Sequence, residues 1–231
     1  MGCEVFAVNE ITWRIENEGV RFFLLAGQER ALLIDTGMTA PDARQIAESL
    51  TALPLSLLNT HSDRDHISGN GAFSSLYMHP AEEAHYRSLG GTGTVVPVRD
   101  GDELDLGDRP LRIIHLPGHT PGSVAVLDVK ARVLISGDPI QEDGRIFMFG
   151  AHRSMGDYVD SLTRLDRRRA DFDEIWPSHA AIPISPRRIG DLIEGAKRIM
   201  AGEARARSAQ VMGQDILVYD LGFTLMLCGK A

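Results

Sequence analysis

Four side chains able to bind divalent transition metals, His61, Asp63, Asp65 and His66, fall within six consecutive positions of this chain. Imidazole and carboxylate suit such ions, and one sharp strand-to-helix turn can aim all four at a single spot. Three more candidates stand alone: His119 after Pro117-Gly118, Asp138 after Ser136-Gly137, and His179 after Pro177-Ser178. Each follows a strand-like run, where a sheet edge would present it. Seven ligands are too many for one tetrahedral ion and suit two.

Elements able to position these residues are readable from periodicity. Short β-type runs open the chain at Glu4 to Val8, Thr12 to Ile15, Val20 to Leu25 and Ala31 to Ile34, with turns at residues 16–19 and 26–29. Asp35-Thr36-Gly37 ends the last of them, and a helix begins at Pro41-Asp42. Leu53 to Leu58 is apolar apart from Ser56, as in a strand buried on both faces, and it leads into the metal run. The order recurs: strand Leu76 to Met78, helix Pro80 to Leu89, strands at Val95 to Val98, Leu111 to Leu116, Val124 to Leu127 and Val133 to Ile135. Helices are expected at Asp157 to Arg169 and Pro186 to Met200, with a short strand at Ile175-Trp176 between them. Ile216 to Tyr219 and Phe223 to Leu227 read as a closing hairpin. Strands and helices alternating in two similar halves predict an α/β fold, a four-layer αβ/βα sandwich.

With 231 residues, 43% hydrophobic and 24% charged, the chain suits one large domain over residues 1–231. Its formal charge of −8 argues against a nucleic-acid-binding face and leaves a small molecule as the expected partner. No leader of signal-peptide type opens the chain, Met1-Gly2 lacks the hydroxyl residue of a myristoylation signal, and no apolar run approaches a membrane span. Cys3 and Cys228 read as free thiols in a reducing cytoplasm, in preference to a terminal disulfide. Composition does not set the oligomeric state, and a dimer stays open.

Asp35-Thr-Gly37, the His61-x-Asp63-x-Asp65-His66 run, Gly118-His-Thr-Pro-Gly122, Gly137-Asp138 and Ser178-His179 together resemble the metallo-β-lactamase superfamily. The resemblance implies a metal-dependent hydrolase with two divalent ions, one held by His61, Asp63 and His119 and the other by Asp65, His66 and His179. Asp138 would bridge them beside a shared hydroxide, and a proton would pass to Asp65 or a bound water. An ester, thioester, lactone or phosphodiester is the implied substrate. Zinc is the first expectation, with manganese or iron as alternatives. Asp63 departs from the pattern, which usually has histidine there. With the bridging hydroxide, the three aspartates carry as much negative charge as two divalent ions carry positive, so this site is neutral where the usual one keeps a unit of positive charge. A carboxylate also favours harder ions. Acidic residues at this position occur in some family phosphodiesterases and in flavodiiron centres, so the alternative function is a non-haem di-iron oxidoreductase or oxygen-binding protein. A non-catalytic member of the fold is a third reading. Asp63 in place of histidine argues against β-lactam hydrolysis. The short stretch after His179, together with Asp63, argues against a glyoxalase II role.

Other residues carry weaker assignments. Asp35 would either cap a turn or support a ligand histidine, and Thr60 and Thr120 are placed similarly. Arg64 reads as a solvated charge. Ile146 to Met155 reads as an apolar, glycine-containing loop able to wall the substrate pocket, with His152 or Arg153 reaching inward. Tyr158 resembles a tyrosine near the site in some hydrolases of the family and is a candidate substrate contact, although its spacing with Leu162 and Leu165 also suits a core face. His79 and His85 read as surface or packing residues and His115 as a core residue. Trp13, Phe22 and Phe23 could form a flap over the cleft.

Overall fold

The computed structural model describes residues 2–230, so Met1 and Ala231 lie outside it. In chain order the strands are β1 (Glu4–Asn9), β2 (Thr12–Asn17), β3 (Val20–Ala26), β4 (Ala31–Ile34), β5 (Leu55–Leu58), β6 (Ser75–Met78), β7 (Thr94–Pro97) and β8 (Glu103–Asp105). Then come β9 (Pro110–His115), β10 (Val124–Asp128), β11 (Val133–Gly137), β12 (Arg145–Met148), β13 (Glu174–Pro177), β14 (Ala206–Val211), β15 (Gln214–Asp220) and β16 (Leu225–Gly229). Four α-helices, α1 (Ala43–Leu50), α2 (Glu83–Ser88), α3 (Met155–Asp166) and α4 (Arg188–Met200), and four short 3-10 turns complete the described elements. Among these residues no helix is long and apolar enough to cross a membrane.

Strands β1 to β7 form one sheet in sequence order. Tight turns make β1 to β4 antiparallel, and crossovers make β4 to β7 parallel. A second sheet has the order β13-β11-β10-β9-β8. Strict alternation divides their side chains. Phe22 and Leu24 join the core beneath α1 and α2, while Phe23 and Leu25 face the core between the sheets. In the second sheet Val124 and Val126 point to that central core, and Ala125 and Leu127 point to the core under α3 and α4. Three apolar layers between four layers of secondary structure follow, as expected of the αβ/βα sandwich. Phe22 and Phe23 are therefore core residues, and Trp13 packs half-buried against the first core, so no flap forms from them.

The segment from Ile146 to Met155 is not one loop. Residues 145–148 form β12, which pairs in parallel with β16. The expected closing hairpin extends into a four-stranded sheet of order β12-β16-β15-β14. β12 draws its hydrogen bonds from residues 225–228, so nothing local announced it. Only residues 149–154 remain as loop.

A buried ion pair pins the two main sheets together. The Arg109 side chain donates through Nε to Asp128 Oδ2 (2.8 Å), through Nη1 to the Ile11 and Ala26 carbonyls (2.7 and 2.8 Å) and through Nη2 to Thr12 Oγ1 (2.8 Å). This clamp lies at the amino end of β4 and β9. The opposite end, where β4, β5, β9, β11 and β13 all terminate, is left for the candidate ligands.

Candidate metal centre

The turn after β5 owes its shape to Asp35. That residue sits just past β4 in the left-handed region (φ 65°), which aspartate tolerates better than most residues. Its Oδ1 accepts from the Thr60 backbone N–H (2.8 Å), and its Oδ2 accepts from Thr60 Oγ1 (2.7 Å) and His66 Nδ1 (2.9 Å). Asn59 Nδ2 donates to the His66 carbonyl (3.0 Å), closing the turn from inside. Gly118, preceding His119, approaches α3 so closely that a Cβ would lie 2.4 Å from Tyr158 Cα; only glycine fits.

Each of the four histidines has its Nδ1 committed to an acceptor. His66 Nδ1 meets the Asp35 carboxylate, His119 Nδ1 the Phe147 carbonyl (2.9 Å) and His179 Nδ1 the Gly19 carbonyl (3.0 Å). His61 Nδ1 faces Thr60 Oγ1 (3.1 Å), whose own hydrogen goes to Asp35, so the imidazole donates there as well. Nδ1 therefore carries hydrogen throughout, and each neutral ring presents an Nε2 lone pair to the opposite side.

Those lone pairs converge with carboxylate oxygens. His61, Asp63 and His119 form one group and Asp65, His66, Asp138 and His179 a second, with ligand atoms in each group within 4.8 Å of one another. Asp138 Oδ1 lies 3.2 Å from His66 Nε2 and 3.3 Å from His179 Nε2, while its Oδ2 faces His119 Nε2 at 3.7 Å. Asp63 Oδ2 is 3.5 Å from His61 Nε2 and 3.3 Å from His119 Nε2; Asp65 Oδ2 is 3.3 Å from His179 Nε2 and 3.6 Å from His66 Nε2. Lone pairs facing lone pairs at these separations are relieved by a divalent cation between them or, without one, by protons on the rings. His61 Nε2, His66 Nε2, His119 Nε2 and Asp138 Oδ1 are buried with no hydrogen-bond partner, and that is the condition a metal relieves. The residues fit two divalent ions.

Sequence reasoning missed two contributors. Glu82, just before α2, is 1% exposed. It accepts from Ser62 N–H (2.9 Å) and Ser62 Oγ (2.6 Å) through Oε2 and from Gly122 N–H (2.8 Å) through Oε1, tying the His61 turn to the His119 turn. His85, one turn further on, brings Nε2 within 3.7 Å of Asp63 Oδ1. Their three-residue spacing on one helix face was the available signal. The remaining expectations divide. Arg64 is exposed, as a solvated charge should be. His79 and His115 stack at 4.0 Å between ring centroids, and both are half-buried. Arg153 does reach inward, where Nη2 meets Asp63 Oδ2 at 2.5 Å. His152 is exposed, its ring 5.1 Å from that of His85. Tyr158 is corrected: it is fully buried in the core under α3, its hydroxyl donates to the Pro139 carbonyl (2.7 Å), and it has no face for a substrate.

Charges held so close perturb one another. Burial would lower the basicity of His179, but Asp138 and Asp65 outweigh it and push its pKa up to about 10. His66 moves the same way against burial, through Asp138, Asp65 and Asp35. Asp138 is held well below the usual carboxylate range, because His179 and His66 overcome its desolvation. Burial would raise Asp63, yet contacts from His119, His61 and His85 bring it down. A pH dependence follows for chelator-stripped protein. A histidine raised above its unfolded value near 6.5 contributes stability that is whole below that pH and is lost as pH climbs through about 10. The urea midpoint should therefore fall across that window, while apparent metal affinity rises as the competing protons leave. Calorimetry of zinc binding in two buffers of different ionisation enthalpy would count the released protons. A flat midpoint and no release would contradict the charge assignment.

Two facing ligand groups sharing one aspartate, set at strand ends of an αβ/βα sandwich, are the arrangement of a dinuclear metallohydrolase. Comparison with known proteins agrees: the metallo-β-lactamase superfamily matches residues 17–179, and the chain belongs to that superfamily. It is similar to the acyl-coenzyme A thioesterase MBLAC2 of Gallus gallus, with 28% identity over 219 residues covering 78% of each chain. A hydroxyacylglutathione hydrolase of Gloeobacter violaceus is 34% identical over 144 residues, 60% of this chain and 55% of that one. The fold matches a solved metallo-β-lactamase from Pontibacter korlensis with a TM-score of 0.73 at 17% identity, covering 85% of this chain and 99% of that chain.

Proposed function

We propose that the protein hydrolyses a thioester in which an acyl group is carried on a coenzyme A-type thiol. The observation that carries the hydrolytic reading is Asp138, buried with one carboxylate oxygen toward each ligand group. The thioester choice is supported by the two relatives above, since acyl-coenzyme A and hydroxyacylglutathione are both thioesters. His61, Asp63 and His119 would hold one ion and Asp65, His66 and His179 the other, with Asp138 between them. Asp35 and Thr60 keep His66 and His61 in the tautomer that offers Nε2. Two divalent ions held there would supply a nucleophilic water near neutral pH and a Lewis acid for the acyl carbonyl. Asp65, half-buried, would accept the proton, and exposed His152 would lie at the rim of the site. Zinc leads because four of the seven ligands are imidazoles, and Asp63 gives manganese or iron a share. We read residues 1–231 as one domain working in the cytoplasm, a reading supported by Cys3 and Cys228 both being free.

The test is a substrate panel on metal-analysed protein: an acyl-coenzyme A, the matching oxygen ester, an acyl lactone and bis-p-nitrophenyl phosphate. Chelator-sensitive thiol release should exceed the other activities by roughly tenfold or more in kcat/KM. Dominant phosphodiester cleavage would overturn the substrate class. An oxo-bridged iron band without hydrolysis would replace the hydrolytic reading with a redox one.

A further inference from the structure

Asp63 has more nitrogen partners than Asp65 or Asp138. Oδ2 faces His61 and His119 and also accepts from Arg153 Nη2 at 2.5 Å, and Oδ1 faces His85 at 3.7 Å. Arg153 and Asp63 are mostly buried, with 13% and 21% of their side chains exposed. The neighbouring Arg64 is exposed, so Arg153 is the arginine that serves this carboxylate.

The position of Arg153 is built in. Its loop leaves β12 after Met148, one residue past Phe147, whose carbonyl accepts from His119 Nδ1. It ends at Ser154, whose N–H donates to the carbonyl of Gly118, one residue before His119 (2.9 Å). Ser154 Oγ then caps α3 by accepting from Asp157 N–H (3.2 Å). Both loop ends are thus fastened to the His119 turn, and Arg153 and His119 are placed by the same junction. Arg153 Nε is buried with no partner, so Asp63 is what holds the guanidinium in place.

We propose that Arg153 is a positioning residue that makes Asp63 a charge-compensated ligand: the pair binds the first metal ion through carboxylate oxygen while contributing no net charge. Three physical consequences follow. The centre regains the unit of positive charge that Asp63 alone removes. Arg153 fixes which Asp63 oxygen faces His61 and His119. Arg153 is also occupied by Asp63, so it is not available as a simple anchor for a substrate anion.

This inference rests on the dinuclear reading of the site, and its test separates the two. Zinc dissociation constants would be measured by chelator competition for the native chain, Arg153→Met, Arg153→Lys, Asp63→His and the double variant Asp63→His/Arg153→Met. Far-UV circular dichroism on stripped samples checks the fold. Removing the guanidinium leaves an uncompensated carboxylate, so Arg153→Met should bind the first zinc tighter by roughly tenfold. Its kcat/KM profile should rise at higher pH than the native one, because the centre is more negative. Arg153→Lys keeps the charge and should stay near native in both. Asp63→His strands the guanidinium beside an imidazole and should weaken zinc by roughly tenfold or more, and the double variant should recover most of that loss. Failure of the native chain to bind two zinc ions would overturn the dinuclear reading itself. Two zinc ions in the native chain, with Arg153→Met unchanged in affinity and pH profile or with effects that simply add, would overturn the role given to Arg153 alone.

Discussion

Asp138→Asn should abolish most turnover while leaving the fold in place. The substitution keeps side-chain volume but replaces a charged carboxylate, open on both oxygens, with a neutral amide whose nitrogen can only donate. One of the two ligand groups then meets N–H hydrogens where it had an acceptor, and a unit of negative charge disappears between two dications. Several kcal/mol of metal-dependent stabilisation corresponds to a fall in kcat of about a thousandfold. Metal content should drop from two ions toward one, since Asp138 Oδ1 serves His66 and His179 while Oδ2 serves the other side. Metal analysis and steady-state kinetics on the same preparation check both. Turnover within tenfold of native would remove Asp138 from the centre of the mechanism.

The second large effect lies at the far end of the sandwich. Arg109→Met should destabilise the protein by about 3–5 kcal/mol, the usual cost of leaving a buried charge without its partner. Asp128, 2% exposed, loses its ion pair, and the Ile11 and Ala26 carbonyls and Thr12 Oγ1 lose their donor. For a chain of this size the melting midpoint should fall on the order of 10 °C. The metal ligands stand at the opposite strand ends, so zinc stoichiometry at low temperature should be unchanged. Methionine keeps the aliphatic stem of arginine, and the loss therefore reports the guanidinium with its charge and hydrogen bonds. A midpoint within a degree or two of native would show that the clamp contributes nothing net.

Much of this arrangement was legible in the chain. The apolar run through Leu58 and the strand-like segments before His119, Asp138 and His179 mark sheet edges, because burial on both faces demands continuous hydrophobicity. Helical spacing of Tyr158, Leu162 and Leu165 marked a core face, and packing of that face hides Tyr158 from any substrate. Strand β12 was not legible, because Ile146 to Met155 reads as an apolar loop until β16 supplies its ladder partners. For Glu82 the spacing with His85 marked a shared helix face but not burial. A glutamate at a helix start is ordinarily a solvated cap, and only the meeting of Ser62 and Gly122 above it makes it a buried tie.

The sequence by itself determined the donor set and its placement at strand ends: two imidazoles and two carboxylates in one turn, then His119, Asp138 and His179. Local chemistry suffices for that, since ligand type and strand periodicity are written in neighbouring residues. Tertiary structure decided what surrounds Asp63. The sequence alone shows a carboxylate that makes the centre more negative. Folding brings Arg153 against it from 90 positions away and His85 from the next helix, and such encounters are set by how sheets and loops pack, which no local pattern encodes.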